Sequence, residues 1–291
     1  MTQWCSPNRH RNYRILKVND FIKRLERAGI FNAQQEAVWL ISDALGVNNS
    51  EIFARENFSD YEISKIENLI SRRVSGEPLQ YIMGEASFYG RDFKVGNGVL
   101  IPRHDTETLI EAVKKYFEPS QKLFFLDWGT GSGCIAITIL LEYENSFAFM
   151  LENNPKAINY AKKNSEIYNI QDRAKIIKNF GEIEFETAKF DFIISNPPYI
   201  PSNEISDLMP VVKNYEPLSA LDGGDGGMDF YKLIISQAEK ILKRNGYIIF
   251  ETGNLNQVNA LKNLSENFIF ENEFFDDGIF PRCLILRKGC D

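Results

Sequence analysis

Apolar residues recur at helical spacing through the first part of the chain. Val18, Phe21, Ile22 and Leu25 form one set, Ala37, Ile41, Ala44 and Leu45 a second, and Ile63, Ile66 and Ile70 a third. Gly29, Gly46 and Gly76 stand where these helices should end. From Gln80 to Val95 ("QYIMGEASFYGRDFKV") the pattern becomes an alternation broken by glycines, which predicts a small hairpin. Beyond Ile101 short all-apolar runs alternate with helical segments. The spacing predicts a helix over Asp105–Phe117, the strand "LFFLDW", a helix "CIAITILLEY", the strand "FAFMLE" and a helix "KAINYAKKNSEIY". The strands "AKIIKN" and "FDFIISN" follow, then a helix near Asp229–Lys243, the strand "YIIFET" and a helix near Leu255–Glu266. The strands "FIFENEFF" and "RCLILRK" are close enough in sequence to form an antiparallel hairpin. Strands apolar throughout, alternating with helices, predict an α/β doubly wound, mostly parallel sheet covered on both faces.

Charge sharpens this division. Residues 1–90 hold 11 basic and 11 acidic side chains, whereas 91–291 hold 22 and 29. The second part therefore offers no basic groove, and stable nucleic-acid binding is not expected. Arg9, Arg11, Arg14 and Lys17 form a small basic arm, which fits a frayed, solvated terminus better than a docking segment. Cys5, Cys134, Cys283 and Cys290 are scattered without a CxxC pair, which argues against a disulfide framework or a zinc site and suits a reducing cytosol. No apolar run reaches the ~18 residues of a membrane span, so a cytoplasmic protein with no metal is expected.

Candidate chemistry lies at the strand ends, where open α/β sheets bind ligands. The first strand of the series runs into "DWGTGSG", Asp127 to Gly133. Gly129, Gly131 and Gly133 remove side chains where backbone must approach a ligand. Gly131 to Ala136 also fits the dinucleotide-binding spacing G-x-G-x-x-A. Glu152 ends the second strand, nineteen residues after Gly133, and can accept from ribose hydroxyls or stand as a solvated acid. Neither feature separates a nicotinamide cofactor from S-adenosylmethionine.

Asn196-Pro197-Pro198-Tyr199 does. Two prolines cannot continue a strand ladder, since neither has an N–H to donate. A planar nitrogen such as an amide is a weak nucleophile, because its lone pair is delocalised. Methyl transfer needs that lone pair aimed at the methyl carbon, and two acceptors gripping the two N–H bonds can aim it. The Asn196 side-chain oxygen is one and the Pro197 carbonyl the other. Each proline restricts the residue before it to extended backbone, so the pair is stiff before substrate arrives. Tyr199 can pack its ring against the planar group. No general base is required, which suits a chain whose only histidines are His10 and His104.

The chain resembles the release-factor glutamine methyltransferases, over nearly its whole length. The resemblance rests on Glu77–Leu109 ("EPLQYIMGEASFYGRDFKVGNGVLIPRHDTETL"), "LDWGTGSG", "SNPPYIP", Tyr215–Gly227 ("YEPLSALDGGDGG") and Asp276–Leu286 ("DDGIFPRCLIL"). It implies a helical substrate-recognition domain over 1–76, a β-hairpin linker over 77–100, and a seven-stranded class I S-adenosylmethionine-dependent methyltransferase domain of Rossmann-like fold over 101–291. It implies N5-methylation of the glutamine in the Gly-Gly-Gln motif of class I peptide-chain release factors, with S-adenosyl-L-homocysteine as by-product, by a monomer. By motif match Gly129, Thr130, Gly131, Ser132 and Gly133 line the cofactor, Glu152 takes its ribose and Phe180 flanks its adenine. Asn196, Pro197, Pro198 and Tyr199 hold the glutamine amide, with Asn196, Pro197 and Tyr199 catalytic and Asn196 also against the cofactor. The chain departs from the family pattern at Glu152, where Asp is usual, at Asn179-Phe180 in place of Asp-Trp, at Trp128 and at His104. Arg103 and Glu107 are read either as closing the substrate mouth or as a charge pair at a helix start. Three rivals stay open: a glutamine methyltransferase acting on a ribosomal protein, a nucleic-acid base N-methyltransferase, which needs a basic groove, and a cofactor-binding scaffold without activity.

Overall fold

The computed structural model describes residues 17–55, 57–178, 190–264, 266–276 and 280–289. The chain divides into two compact units, Met1–Met83 and Gly84–Asp291.

The first unit is helical: α1 (Val18–Arg27), α2 (Ala33–Leu45), α3 (Asn49–Phe53), α4 (Asp60–Val74) and α5 (Leu79–Met83). The periodic residues do face inward, with Phe21, Leu25, Ala37, Ile41, Ile66 and Ile70 all buried in one cluster. Gly46 ends α2 with a left-handed backbone, φ 65°, as the helix C-terminus requires of a residue without Cβ. Ser59 and Glu62 form a capping box at the start of α4. The Ser59 backbone N–H, then the Arg55 guanidinium, pull the Glu62 carboxyl down to about 2. Two differences from the sequence expectation stand here. The short helix α3 was not anticipated. Residues 79–83, expected in the hairpin, form α5 instead, so the hairpin is only β1 (Glu85–Phe88) and β2 (Arg91–Lys94). Its two-residue turn, Tyr89 and Gly90, has φ 50° and 70°, the mirror-image turn that matches strand twist.

The second unit begins with that hairpin. A seven-stranded sheet follows, made of β3 (Phe124–Trp128), β4 (Phe147–Leu151), β5 (Ala174–Ile177), β6 (Phe190–Ser195), β7 (Leu242–Glu251), β8 (Phe268–Asp276) and β9 (Phe280–Lys288). The order is β5-β4-β3-β6-β7-β9-β8, and β9 runs antiparallel to both its neighbours while the pairs from β5 to β7 are parallel. The expected terminal hairpin is therefore present, and it inserts its second strand beside β7. Strand β7 starts at Leu242, earlier than its apolar run, where Phe190 meets Leu242 across a register shift.

Among the described residues, the α-helices of this unit are α6 (Glu107–Tyr116), α7 (Cys134–Glu142), α8 (Pro155–Ile167), α9 (Pro210–Lys213), α10 (Asp229–Ile241) and α11 (Leu255–Lys262). Period-two alternation splits each inner strand between two cores. Phe125, Phe192, Ile194, Ile249 and Ile285 pack with α6 and α7. Leu126, Ile193, Ile248, Phe250 and Leu284 pack with α10 and α11. With both faces covered, β3, β4 and β6 are apolar over most of their length. Among the described residues, no helix is long and apolar enough to cross a membrane.

Candidate active site

Strand order reverses between β3 and β6, and such a switch point opens a crevice beyond the strand ends. A cavity of about 650 Å³ lies there, within the range typical of small-molecule sites. Gly129, Thr130, Gly131, Ser132, Glu152, Asn196, Pro197 and Pro198 all line it. The loop 98–103, the segment 217–222 and the apolar side chains of Trp128, Leu151, Phe230 and Leu233 supply further wall.

The glycine loop divides its labour. Gly129 and Gly131 have φ 77° and 58°, and a Cβ added at Gly129 would meet nothing within 4 Å, so its missing side chain leaves open space. Gly133 does not line the cavity. A Cβ there would lie 2.7 Å from Met150 Cε and 2.9 Å from Ile137 Cδ1, so this glycine serves the packing of α7 on β4. Beneath the loop Asp127 is fully buried and accepts the Thr130 hydroxyl at 2.5 Å. Burial pushes its carboxyl up to about 7, against the pull of Thr130. Cys134, at the start of α7, also lines the cavity, and burial pushes its thiol up to about 12.

Glu152 spans the gap between two strand ends. Its Oε2 accepts the Gly131 N–H at 3.0 Å, while Oε1 accepts the N–H groups of Asn153 and Asn154 at 2.9 Å each. A carboxylate has about four acceptor sites, so one remains for a ligand hydroxyl. A cavity with an open glycine wall and a spare acidic acceptor suits the ribose and methionine parts of S-adenosylmethionine. Phe180 lies outside the described residues.

Asn196 follows β6. Its Nδ2 donates to Thr106 Oγ1 at 3.2 Å, which turns Oδ1 away from Thr106. Pro197 is buried, and Pro198 lines the cavity beside it. Tyr199 is placed differently from the expectation of a ring against the substrate amide, since it is absent from the cavity wall. Its ring lies against Gly253, where a Cβ would sit 2.7 Å from Tyr199 Cδ2, and its hydroxyl donates to Glu251 Oε1 at 3.3 Å. Gln257 donates to the Tyr199 carbonyl at 2.7 Å and accepts the Gly253 N–H at 2.9 Å. Gly223 and Gly227 come equally close: a Cβ on Gly223 would be 2.6 Å from the Pro198 carbonyl oxygen, and one on Gly227 2.1 Å from that of Tyr199. The tetrapeptide is thus clamped on several sides by backbone.

Several residues of the site carry no local signal in the sequence. Glu251 ends β7 almost fully buried. Burial pushes its carboxyl up to about 7, with the Thr106 hydroxyl the strongest opposing influence. Arg103 pairs with Glu216, whose side chain is 2% exposed, and joins the two segments that form the cavity wall. "YEPLSALDGG" was visible as a motif, but its pairing with Arg103 spans 113 residues. His104 is a surface residue 3.1 Å from Glu107, which itself accepts the Tyr89 N–H at 2.7 Å. The described residues contain no group of three or more His, Cys, Asp or Glu that could hold a metal ion.

The seven-stranded order with its antiparallel β9, the glycine loop and the strand-end acid define a class I S-adenosylmethionine-dependent methyltransferase. A solved methyltransferase from Pyrococcus furiosus shares this fold, with a TM-score of 0.52 and 18% identity over 77% of this chain and 100% of that one. Residues 18–84 match the PrmC N-terminal domain and residues 104–210 the methyltransferase small domain. The chain is 38% identical to the release factor glutamine methyltransferase of Thermodesulfovibrio yellowstonii, over 94% of this chain and 99% of that protein. With the enzyme of the same name from Geobacter sulfurreducens it shares 38% identity, over 82% and 84%. The chain belongs to the release factor glutamine methyltransferase family.

Proposed function

We propose that this protein methylates the side-chain nitrogen of the glutamine in the Gly-Gly-Gln motif of class I release factors, using S-adenosylmethionine, in the cytoplasm. The observation that carries the reading is the orientation of Asn196 in the cavity. Its Nδ2 is already engaged by Thr106, so Oδ1 is the atom left for an incoming N–H. Bound S-adenosylmethionine would supply an electrophilic methyl carbon on a positively charged sulfur. Gly129, Thr130, Gly131, Ser132 and Glu152 would hold it, with Glu152 taking a ribose hydroxyl while still bracing Gly131.

Asn196 Oδ1 and the Pro197 carbonyl would accept the two N–H bonds of the glutamine amide and present its lone pair to the methyl carbon. The grip is preorganised, because the prolines and the surrounding glycines fix the backbone before substrate arrives. The apolar wall of Leu218, Phe230 and Leu233 would exclude water from the reacting atoms. The methylated nitrogen, briefly cationic, is acidic enough to lose its proton without a dedicated base. The helical unit supports reading the acceptor as a folded protein, since a small-molecule enzyme has no use for it.

The test offers labelled cofactor to a purified release factor, ribosomal proteins and duplex DNA side by side, and maps the product by mass spectrometry. Label on the Gly-Gly-Gln glutamine is expected. Label confined to a ribosomal protein or to DNA would overturn the reading.

A further inference from the structure

A carboxylate buried in a cavity wall is costly, and its partners show what it is there to hold. Glu216 is such a group. Among the described residues it accepts from the Arg103 guanidinium and, at 3.4 Å, from the Ile101 N–H. Both partners belong to the loop 98–103. The far end of "YEPLSALDGG", Tyr215 to Gly224, is tied to the tetrapeptide instead. Ile200, directly after Tyr199, donates its N–H to the Leu221 carbonyl at 3.0 Å and accepts the Gly223 N–H at 2.8 Å. The Ser202 hydroxyl donates to Asp222 Oδ1 at 2.6 Å. Between these two anchorages Pro217, Leu218, Ser219 and Ala220 line the cavity. Their own structure is a single 3-10 turn over Leu218–Ala220, too short to hold its place unaided. Leu218 lines the cavity and is also 58% exposed, so the turn stands at the mouth.

We propose, resting on the acceptor reading above, that Arg103 and Glu216 are positioning residues for the acceptor. The ion pair fixes one end of the wall 217–222, as the Ile200 backbone pairing fixes the other. The wall so held guides the Gly-Gly-Gln chain toward Asn196. Without the pair, the Pro217 end is free to swing about the Ile200 end. A charge-assisted hydrogen bond has a direction and a short reach, whereas apolar packing would cover the turn without fixing its angle. The cofactor side is braced separately. The Gly131 N–H rests on Glu152, and the Gly129 and Thr130 N–H groups on the Leu151 carbonyl. None of these bonds runs through Arg103 or Glu216, so loss of the pair reaches the acceptor and spares the cofactor.

Steady-state kinetics with a purified release factor, beside calorimetry of cofactor binding, test the pair. Arg103→Gln keeps a donor and removes the charge. Its KM for the acceptor should rise about tenfold or more, the equivalent of one lost charged hydrogen bond. Its kcat should stay within about threefold of wild type and its cofactor affinity within about twofold. Arg103→Lys restores a charged donor and should bring the KM back to within about threefold of wild type. Arg103→Leu combined with Glu216→Leu fills the space with apolar atoms, so the melting temperature should hold or rise while the KM stays about tenfold high. A merely structural pair predicts instead that this double variant uses the acceptor as well as wild type does. Backbone hydrogen exchange with cofactor bound needs no acceptor. The Leu221 and Asp222 N–H groups, which bond the Leu218 carbonyl at 3.0 and 2.9 Å, should exchange faster in Arg103→Gln, with the Gly131 N–H unchanged. An Arg103→Gln KM within about threefold of wild type, an equal loss of cofactor affinity, Arg103→Lys no better than Arg103→Gln, a double variant with the wild-type KM, or unchanged exchange would each overturn the proposal. A wild type inactive toward release factors would refute the acceptor alone, and the exchange measurement would still decide whether the pair holds the wall.

Discussion

Glu152 at the end of β4 accepts the backbone N–H of Gly131 in the loop after β3, at 3.0 Å. The residue expected to bind a ribose thus also holds the loop that forms the neighbouring wall. Glu152→Ala should weaken cofactor binding by roughly 1.5–3 kcal/mol, the range for hydrogen bonds to a charged group. Transfer at saturating cofactor should change much less, because the ribose contacts lie away from the transferring methyl and are similar in ground and transition states. Calorimetry of cofactor binding, beside single-turnover rates, separates the two; unchanged affinity would remove Glu152 from the site.

Asn196→Ala should act on the chemical step. Removing one preorganised group of this kind costs about 10²–10³ in rate, or ~2.7–4 kcal/mol. Asn196→Asp keeps an acceptor oxygen and should retain more activity than alanine, though its charge keeps it below wild type. Single-turnover transfer with cofactor affinity measured independently is the check. An alanine variant within about threefold of wild type would leave the amide grip without a transition-state role.

Gly223→Ala tests the backbone clamp without removing a polar group. The new Cβ would lie 2.6 Å from the Pro198 carbonyl oxygen and 2.8 Å from Tyr199 Cα, and neither is a flexible side-chain end. The tetrapeptide must shift, so transfer should fall at least tenfold while cofactor affinity stays near wild type. Equal losses in both quantities would mean that the whole cavity has collapsed rather than the grip alone.

Buried acids set the pH dependence of stability. Asp127 and Glu251 both sit at about 7 in the fold, above ordinary values of 3.8 and 4.5. The folded state therefore keeps protons that the unfolded chain has released. The stability these groups contribute is complete below about pH 4, erodes as pH rises and is gone past about 7. The loss is about 4 kcal/mol per group. Wild type should melt lower at pH 8 than at pH 5.5, and Glu251→Gln should flatten that slope. Thermal melts across this range check it, and a melting temperature that climbs toward pH 8 would contradict the assignment.

Removing residues 1–83, the helical unit, should leave cofactor binding largely intact and abolish methylation of the folded release factor. Methylation at the full rate by the remaining 208 residues would show that this unit has no part in recognising the acceptor.

How much of this could be read from the chain depended on whether the information was local. The runs "LFFLDW" and "FDFIISN" became β3 and β6 because a strand buried on both faces must be apolar throughout, and a short apolar run bounded by polar residues has few other uses. Leu79–Met83 misled, since one apolar residue before a glutamine and three after it fit a strand as well as one helical turn, and only the burial of Ile82 in the helical core settles it. The short α3 was missed, although Asn48 and Glu51 form a capping box that could have marked its start. The glycine loop, Glu152 and Asn196 were legible because each stands at a strand end with a residue type that has few other reasons to be there. Glu251 also ends a strand, yet it looked like any strand-end acid. What sets it apart is the Tyr199 hydroxyl, 52 residues away, which meets it only in the fold.

The buried thiol of Cys134 has a consequence for the fidelity of the enzyme. A cysteine at a helix start ordinarily becomes more acidic and more nucleophilic, and a thiolate on the wall of this cavity would be a better methyl acceptor than any amide. Burial pushes its pKa up to about 12, so the thiol stays protonated at neutral pH. Self-alkylation, which would consume cofactor and poison the site in one event, is disfavoured chiefly by desolvation, with Asp127 and Glu251 adding to it. Intact-mass measurement after long incubation with cofactor and no acceptor should accordingly find the chain without an added methyl group.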